Sequence, residues 1–338
     1  MRKQAVLLLA HGTPETVEQV PEYLRNVVSG RPLPEALVKE IQHRYAAIGR
    51  SPLTEITLAQ AKRVEAVLAE RGCAVPVYVG MRNWRPYIAD VLGRMQADGV
   101  EEAAVICMAP QNSRTSVGLY RRAVEAAKGG LRVDFTESWA RHPLLVEAFA
   151  ERLRPAWTKM SAEVRGPVPV LFTAHSVPTR TVQPPAPGGP GGGLVGDPYA
   201  EDARATAEMV ASLVPEIPKW YFAFQSQGAS GGEWLGPAVE ETLKAVAQEG
   251  ERYLMLQPIG FLCDHVEILY DVDRLFANYA RELGIRLERP PSLNDSTTLA
   301  MAVAELAMQG LARLRGGLLE CRQGPENPRS GEMDQGLC

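Results

Sequence analysis

The chain has 338 residues, 46% of them hydrophobic, and a formal net charge of −4. That length is large for a single core and fits two domains of ordinary size. The acidic balance, with no basic stripe carrying interleaved aromatics, gives no electrostatic ground for a nucleic-acid partner.

Met1-Arg2-Lys3-Gln4 precedes an apolar run too short for a signal peptide or a membrane span, so a cytoplasmic protein is expected. The run, Val6 to Ala10, reads as a strand that ends on His11-Gly12-Thr13-Pro14. Residues 16 to 48 read as helical, broken at Gly30-Arg31-Pro32-Leu33-Pro34 by two prolines that cannot sit inside a helix. A polar turn, Arg44 to Leu53, leads to a long helix capped by Thr54 and ended by Gly72. Next come strand 75–80, helix 85–98, strand 103–108, helix 115–128 and strand 131–137, an alternation that predicts parallel βα units.

The second half repeats the plan, with strand 168–174, helix 200–213, strand 219–225, helix 236–249, strand 252–257, helix 264–283 and strand 285–289. Its first strand ends on Thr173-Ala174-His175-Ser176-Val177-Pro178, the same apolar run, Ala-His, small residue and nearby proline that ends the first strand of the chain. Ala104 to Pro110 with Tyr120 beyond it likewise parallels Tyr253 to Pro258 with Tyr270. Two similar Rossmann-like domains are therefore expected, each a four-stranded parallel sheet flanked by helices. One spans 1–142 and the other 143–315, with the last helix packing back on the first and a cleft between them. The run 183–193, rich in proline and glycine, reads as a mobile loop beside that cleft, and 316–338 as a flexible tail.

Chemistry concentrates at the strand ends. His175 closes a strand at the edge where open α/β sheets bind ligands. In the segment 262–273, Asp264, Glu267 and Asp271 fall on one face of an expected helix, with Val266, Leu269, Tyr270 and Phe276 on the other. A neutral imidazole facing carboxylates accepts protons and binds a borderline divalent metal such as iron(II). His265 reads as a buttress for the turn before Glu267, and His43 and His142 have no catalytic context. Cys73 and Cys107 read as loop and strand residues and Cys263 as a small packed side chain, and the pattern gives Asp273 no role. Five cysteines (73, 107, 263, 321 and 338), odd in number and without a Cys-x-x-Cys pair, argue against a disulfide framework and a structural zinc.

Several motifs together resemble those of the ferrochelatases. They are Ala10-His11-Gly12-Thr13-Pro14, Arg44-Tyr45 with Ser51-Pro52-Leu53, Tyr78 to Arg82, Thr173 to Pro178, Phe224 to Gly228 with Trp234 to Pro237, and Asp264 to Asp271. The likeness runs from about residue 5 to residue 314 and implies a chelatase-like fold that inserts Fe(II) into a porphyrin in haem biosynthesis. By that resemblance His175 contacts iron and takes a pyrrole proton, Glu267 is its carboxylate partner across the cleft, and Asp271 lies on the metal path. The family's third acidic position is Leu275 here. Arg44, Tyr45, Ser51 and Tyr120 match positions that hold the porphyrin and its propionates, and Arg31 lies in a similarly placed loop. His11 stands where bacterial enzymes acting on coproporphyrin III carry a tyrosine that ligates the product's iron, which makes His11 a candidate axial ligand and coprohaem III the expected product. The implied partners are porphyrin and ferrous iron, with transient contacts to other haem-pathway enzymes. Fe(II) is then a substrate and no prosthetic group is expected. An iron–sulfur cluster needs four cysteines, and the tail offers Cys321 and Cys338.

Three other functions compete with this reading. Gly228-Ala229-Ser230-Gly231-Gly232 satisfies the hydrolase pattern Gly-x-Ser-x-Gly. However, the nucleophile elbow needs a helix directly after Ser230, where two glycines stand, and the adjacent Asp264 and His265 are poorly placed to complete one triad. A non-catalytic haem carrier would need no acidic partner for His175, so Glu267 discriminates against it. A cobalt or nickel chelatase of related fold stays open, because histidine and carboxylate do not select iron by themselves.

Overall fold

A computed structural model of the chain describes residues 2–183, 196–227 and 232–316. These residues form two four-stranded parallel sheets of identical connectivity, ordered β2-β1-β3-β4 and β6-β5-β7-β8. In the first, β1 (Gln4–Ala10) lies between β2 (Val77–Met81) and β3 (Glu102–Cys107), with β4 (Arg132–Thr136) outermost. In the second, β5 (Val170–His175) lies between β6 (Trp220–Gln225) and β7 (Tyr253–Pro258), with β8 (Arg286–Glu288) outermost.

The helices in chain order begin with α1 (Val20–Val27), α2 (Glu35–Ile48), α3 (Leu53–Glu70), α4 (Ile88–Ala97), α5 (Val117–Ala127), α6 (Pro143–Val164) and the single turn α7 (Thr179–Val182). Then come α8 (Tyr199–Leu213), α9 (Val239–Gln248), a π-helical segment Glu267–Phe276 that runs into α10 (Ala277–Glu282), and α11 (Thr297–Leu314). Helix α3 begins two residues earlier than expected. Pro52, not Thr54, is its cap, the Pro52 carbonyl accepting from the Ile56 N–H at 2.9 Å. The expected ending holds, with Gly72 at φ +75° just past the last turn.

Strand residues alternate between two cores, as a period of two requires. Ala5, Leu7 and Leu9 pack with α4 and α5, and Leu171, Leu254 and Leu256 pack with α9 and the π-helical segment. On the opposite faces, Val6 and Leu8 from β1 join Phe172 and Ala174 from β5, together with α3, α6, α8 and α11, in one cluster shared by both halves. The sequence reading assigns no element to 143–167, and Pro155 falls inside that run, where a proline ordinarily breaks a helix. It is tolerated within the 22-residue α6, which buries Leu145, Phe149 and Leu153 in the shared cluster.

The last helix, α11, packs against α3, β3, β4 and α6. Gly310 permits this, since a Cβ there would lie 2.9 Å from Asp134 Oδ1 and 3.0 Å from Ala104 Cβ. The loop 184–193, most of the tail and Ser230 lie outside the described residues.

Candidate active site

A cavity of about 350 Å³ opens between the carboxyl ends of the two sheets, with walls drawn from both halves. Its size is that of a small-molecule site at a topological switch point.

On the second-half wall, β5 delivers His175 to the cavity. The ring's Nδ1 is in hydrogen-bond contact with the Ser176 carbonyl and so carries the hydrogen, and the His175 carbonyl accepts from Tyr199 Oη at 2.8 Å. That tautomer leaves Nε2 with a free lone pair, 3.7 Å from Glu267 Oε1. The expectation from sequence puts these two groups on opposite walls. They stand side by side on one wall, because β5 and β7 are neighbouring strands and Glu267 comes soon after β7. Burial raises the Glu267 carboxyl above its ordinary value, the nearby Asp271 carboxylate adds to this, and His175 opposes it. Next to the pair, His265 Nε2 lies 3.8 Å from Glu267 Oε2 and its ring packs 4.5 Å from Phe261. Burial pushes its pKa down to about 3, so its ring is neutral.

The acidic segment is not the expected α-helix. Glu267–Phe276 winds with wider π turns, which places Ile268, Val272 and Phe276 in the core and Glu267 and Asp271 toward the cleft. Asp264 is released from the expected stripe. It accepts from Ser292 at 2.7 Å, Asn294 at 2.9 Å and Arg289 at 3.0 Å, and these outweigh burial to hold its carboxyl below the ordinary value. Tyr270 is not on the packing face either; it stands edge-on to His43, with the Arg44 guanidinium 5.6 Å from its ring centre. Asp273, without a role in the sequence, binds Arg289 through both oxygens.

Asp271 is buried and accepts from Ser226 Oγ at 2.6 Å and from Arg44 Nη1 at 3.2 Å, Arg44 also pairing with Glu40. Burial raises its carboxyl despite those partners. Ser226 is held at φ +60°, a left-handed setting that is uncommon for non-glycine residues. Arg44 therefore reaches from α2 across to the second half.

The first-half wall is aromatic and cationic. His11 meets Tyr23 edge-on at 6.0 Å, and Tyr45 Oη and Thr13 Oγ1 share a hydrogen bond of 2.9 Å. Arg82 lies over the Tyr120 ring at 5.5 Å. Burial, with the charge of Arg82, lowers the His11 pKa to about 3, so its imidazole is neutral. Burial likewise pushes Tyr45 up to about 12. Ser51 lines the cavity with a buried hydroxyl that makes no hydrogen bond within the described residues.

Of the residues singled out in the sequence, His175, Glu267, His11, Tyr45, Ser51 and Tyr120 line the cavity. Arg44 and Asp271 stand behind its wall. Arg31 is not brought there: it is exposed and donates to the Val28 carbonyl of its own turn. Tyr23, Asn83 and Tyr199 were missed, and Arg82 was named within a motif but given no role. Arg82 and Asn83 had a signal, since they come directly after β2, the strand beside β1. Among the described residues no group of three or more histidine, cysteine or acidic side chains forms a ready metal cage.

A sequence model of one family, Ferrochelatase, matches residues 3–311. The chain belongs to the ferrochelatase family. It is 57% identical over 319 residues to a ferrochelatase of Acidobacterium capsulatum, covering 93% of this chain and 96% of that one. It is 31% identical over 313 residues to a coproporphyrin III ferrochelatase of Mycolicibacterium vanbaalenii, covering 90% and 89%. The sirohydrochlorin chelatase SirB from Bacillus subtilis subspecies spizizenii, solved with cobalt, shares the two-sheet fold with a TM-score of 0.52 at 12% identity, over 93% of this chain and 97% of that one. Membership of the ferrochelatase family assigns the chain to metal insertion into porphyrin for haem synthesis, with porphyrin and ferrous iron as substrates. No helix among the described residues is long and apolar enough to cross a membrane.

Proposed function

We propose that this ferrochelatase-family protein inserts Fe(II) into coproporphyrin III, giving coprohaem III, with His175 and Glu267 as its catalytic pair. The observation that carries the reading is the contact between His175 Nε2 and Glu267 Oε1 at 3.7 Å, on the wall that faces His11. Insertion breaks two pyrrole N–H bonds and binds iron to all four nitrogens of the macrocycle, so two protons must leave as the metal arrives. His175 Nε2 has the free lone pair to take a proton, and Glu267, whose carboxyl burial raises above its ordinary value, passes it on. Asp271 lies behind Glu267 as the next acidic group on the route of the metal.

Tyr45, Ser51 and Tyr120 supply hydroxyls to the macrocycle and its propionates, and Arg82 supplies charge, as carboxylate substituents require, with Arg44 behind the wall on Asp271 and Glu40. Coproporphyrin III has four propionates where protoporphyrin IX has two, which suits a cavity bordered by these groups. His11 is the axial ligand offered to the product's iron from the far wall. The protein works in the cytoplasm and holds no iron–sulfur cluster or other prosthetic group.

Steady-state insertion of iron(II) into the two porphyrins is the test. Coproporphyrin III is expected to have the larger kcat/KM. A preference for protoporphyrin IX would overturn the substrate assignment, and stoichiometric binding with no turnover of either would make the protein a porphyrin carrier.

A further inference from the structure

The π segment Glu267–Phe276 has ten residues, far more than the single-turn bulges in which such winding ordinarily occurs, so contacts from outside must hold its wider turns. Arg289, in the loop that leaves β8, touches both sides of that stretch and takes no part in the proton and metal transfers assigned to His175 and Glu267.

Asp264 stands just ahead of the first turn, which begins where the His265 carbonyl accepts from the Ile268 and Leu269 N–H groups at 3.0 and 2.9 Å. The loop 289–294 fixes it there. The Asp264 N–H donates to Asn294 Oδ1 at 2.9 Å, and its carboxylate accepts from Asn294 Nδ2 at 2.9 Å and from Ser292 Oγ at 2.7 Å. That loop is itself tied down, since the Asn294 carbonyl accepts from Gln60 of α3 at 2.7 Å and the Leu293 carbonyl from Arg152 of α6 at 3.2 Å.

Asp273 lies nine residues beyond Asp264. Nine residues make about two and a half α turns, which sets the two aspartates on opposite sides, but about two π turns, which brings them to the same side. One guanidinium, on a side chain 13% exposed, binds both. Its Nε and Nη2 donate to Asp273 Oδ1 and Oδ2 at 2.5 and 2.9 Å, and Nη2 also donates to Asp264 Oδ1 at 3.0 Å. Its remaining nitrogen, Nη1, donates to the Pro290 carbonyl at 3.1 Å, which fixes the fork on its own loop. The winding returns to α at Ala277, within one turn of Asp273. Because Ile268, Val272 and Phe276 are held in the core, a change of winding would turn Glu267 relative to that face and off its 3.7 Å contact with His175.

We propose that Arg289 is a positioning residue for Glu267, a staple across Asp264 and Asp273 that selects π over α winding and so keeps the Glu267 carboxyl beside His175. The inference rests on Glu267 as half of the catalytic pair and adds what holds it in place.

Steady-state iron(II) insertion into the preferred porphyrin by the full-length protein tests it in a double-mutant cycle. Asp273 is the end to cut, because among the described residues its carboxylate binds Arg289 alone. Asp273→Ala is expected to lower kcat about tenfold or more with KM for porphyrin unchanged. Arg289→Lys, whose ammonium is a point charge that cannot span both carboxylates, is expected to do the same. In a Glu267→Ala background Asp273→Ala is expected to cost nothing further, since the group it acts through is gone. Thermal melting checks that the variants fold, and either one carries the test if the other does not. An unchanged kcat, a loss expressed in KM, or an equal loss with and without Glu267 overturns the staple and leaves Glu267 in its role. Turnover of Glu267→Ala at the wild-type rate overturns the catalytic pair and the Arg289 proposal with it.

Discussion

The two halves of the molecule share a strand order and an Ala-His ending on the central strand, yet they present unlike walls to the same cavity. The second-half wall carries His175, Glu267 and, behind them, Asp271, so an imidazole stands among carboxyl groups. The first-half wall carries His11 enclosed by Tyr23 and Asn83, with Arg82 and Tyr120 nearby. The strands are equivalent, and the difference arises in the crossover that leaves the third strand of each sheet. After β3 the chain runs through 108–116 into α5, whereas after β7 it runs through 259–266 into the π-helical segment that brings Glu267 next to His175. A repeated scaffold supplies two histidines, and that crossover decides which of them works with acid.

The largest effect should come from abolishing the acidic wall. His175→Ala and Glu267→Ala are each expected to lower kcat for iron insertion by about 10²–10⁴-fold, while quenching of porphyrin fluorescence still reports binding. If Glu267→Ala turned over normally, the two walls would be functionally equivalent and acid would have no special place beside His175.

The residue after each histidine offers a structural version of the same contrast. Gly12 cannot be replaced without strain, given φ +82° and the Trp84 backbone against the missing Cβ, so Gly12→Ala is expected to destabilise by about 2–4 kcal/mol in chemical denaturation. Ser176, in the corresponding place, is wholly buried and donates its hydroxyl to the Leu235 carbonyl at 2.9 Å, so Ser176→Gly is expected to cost about 1–2 kcal/mol. A well-tolerated Gly12→Ala would show that the β1 and β2 ends are not tightly joined.

Each wall also holds one histidine kept neutral, His11 and His265, both with pKa lowered to about 3. Between pH 6.5 and 3 the unfolded chain binds protons there that the folded chain refuses, so this part of the stability is present above 6.5 and lost as pH falls. His11→Gln and His265→Gln should each flatten the fall of Tm between pH 6.5 and 4. Unchanged slopes in both would mean that neither ring is as secluded as its surroundings indicate. The smallest effect is expected at Arg31, exposed and outside the cavity, where Arg31→Ala should change stability by less than about 0.5 kcal/mol and leave KM for coproporphyrin III unaltered.

Much of this contrast was legible in the chain. Apolar runs marked the strands of both sheets to within two residues at either end, because a buried parallel strand has little choice of composition. His175 and His11 were found for the same reason, standing where such runs stop. The π-helical segment was not legible. Its spacing of Asp264, Glu267 and Asp271 fits an α-helical face, and only packing of Ile268, Val272 and Phe276 against the sheet shows that the turns are wider. The partners of Asp264 and Asp273, chiefly Arg289, come from a distant loop and leave no local pattern. Tyr23 was missed because a tyrosine buried by an amphipathic helix looks like any other core residue.

Helix α11 finishes its course against β3 and β4 of the opposite half and buries Leu299, Val303 and Leu311 in the cluster that both sheets share. The cavity is thereby braced from behind by a single span, and neither half owns a complete interior. Proteolysis or truncation that removed residues 297–314 would strip apolar cover from both sheets at once, so the chain should lose its porphyrin chamber in one cooperative transition and not release an autonomous fragment.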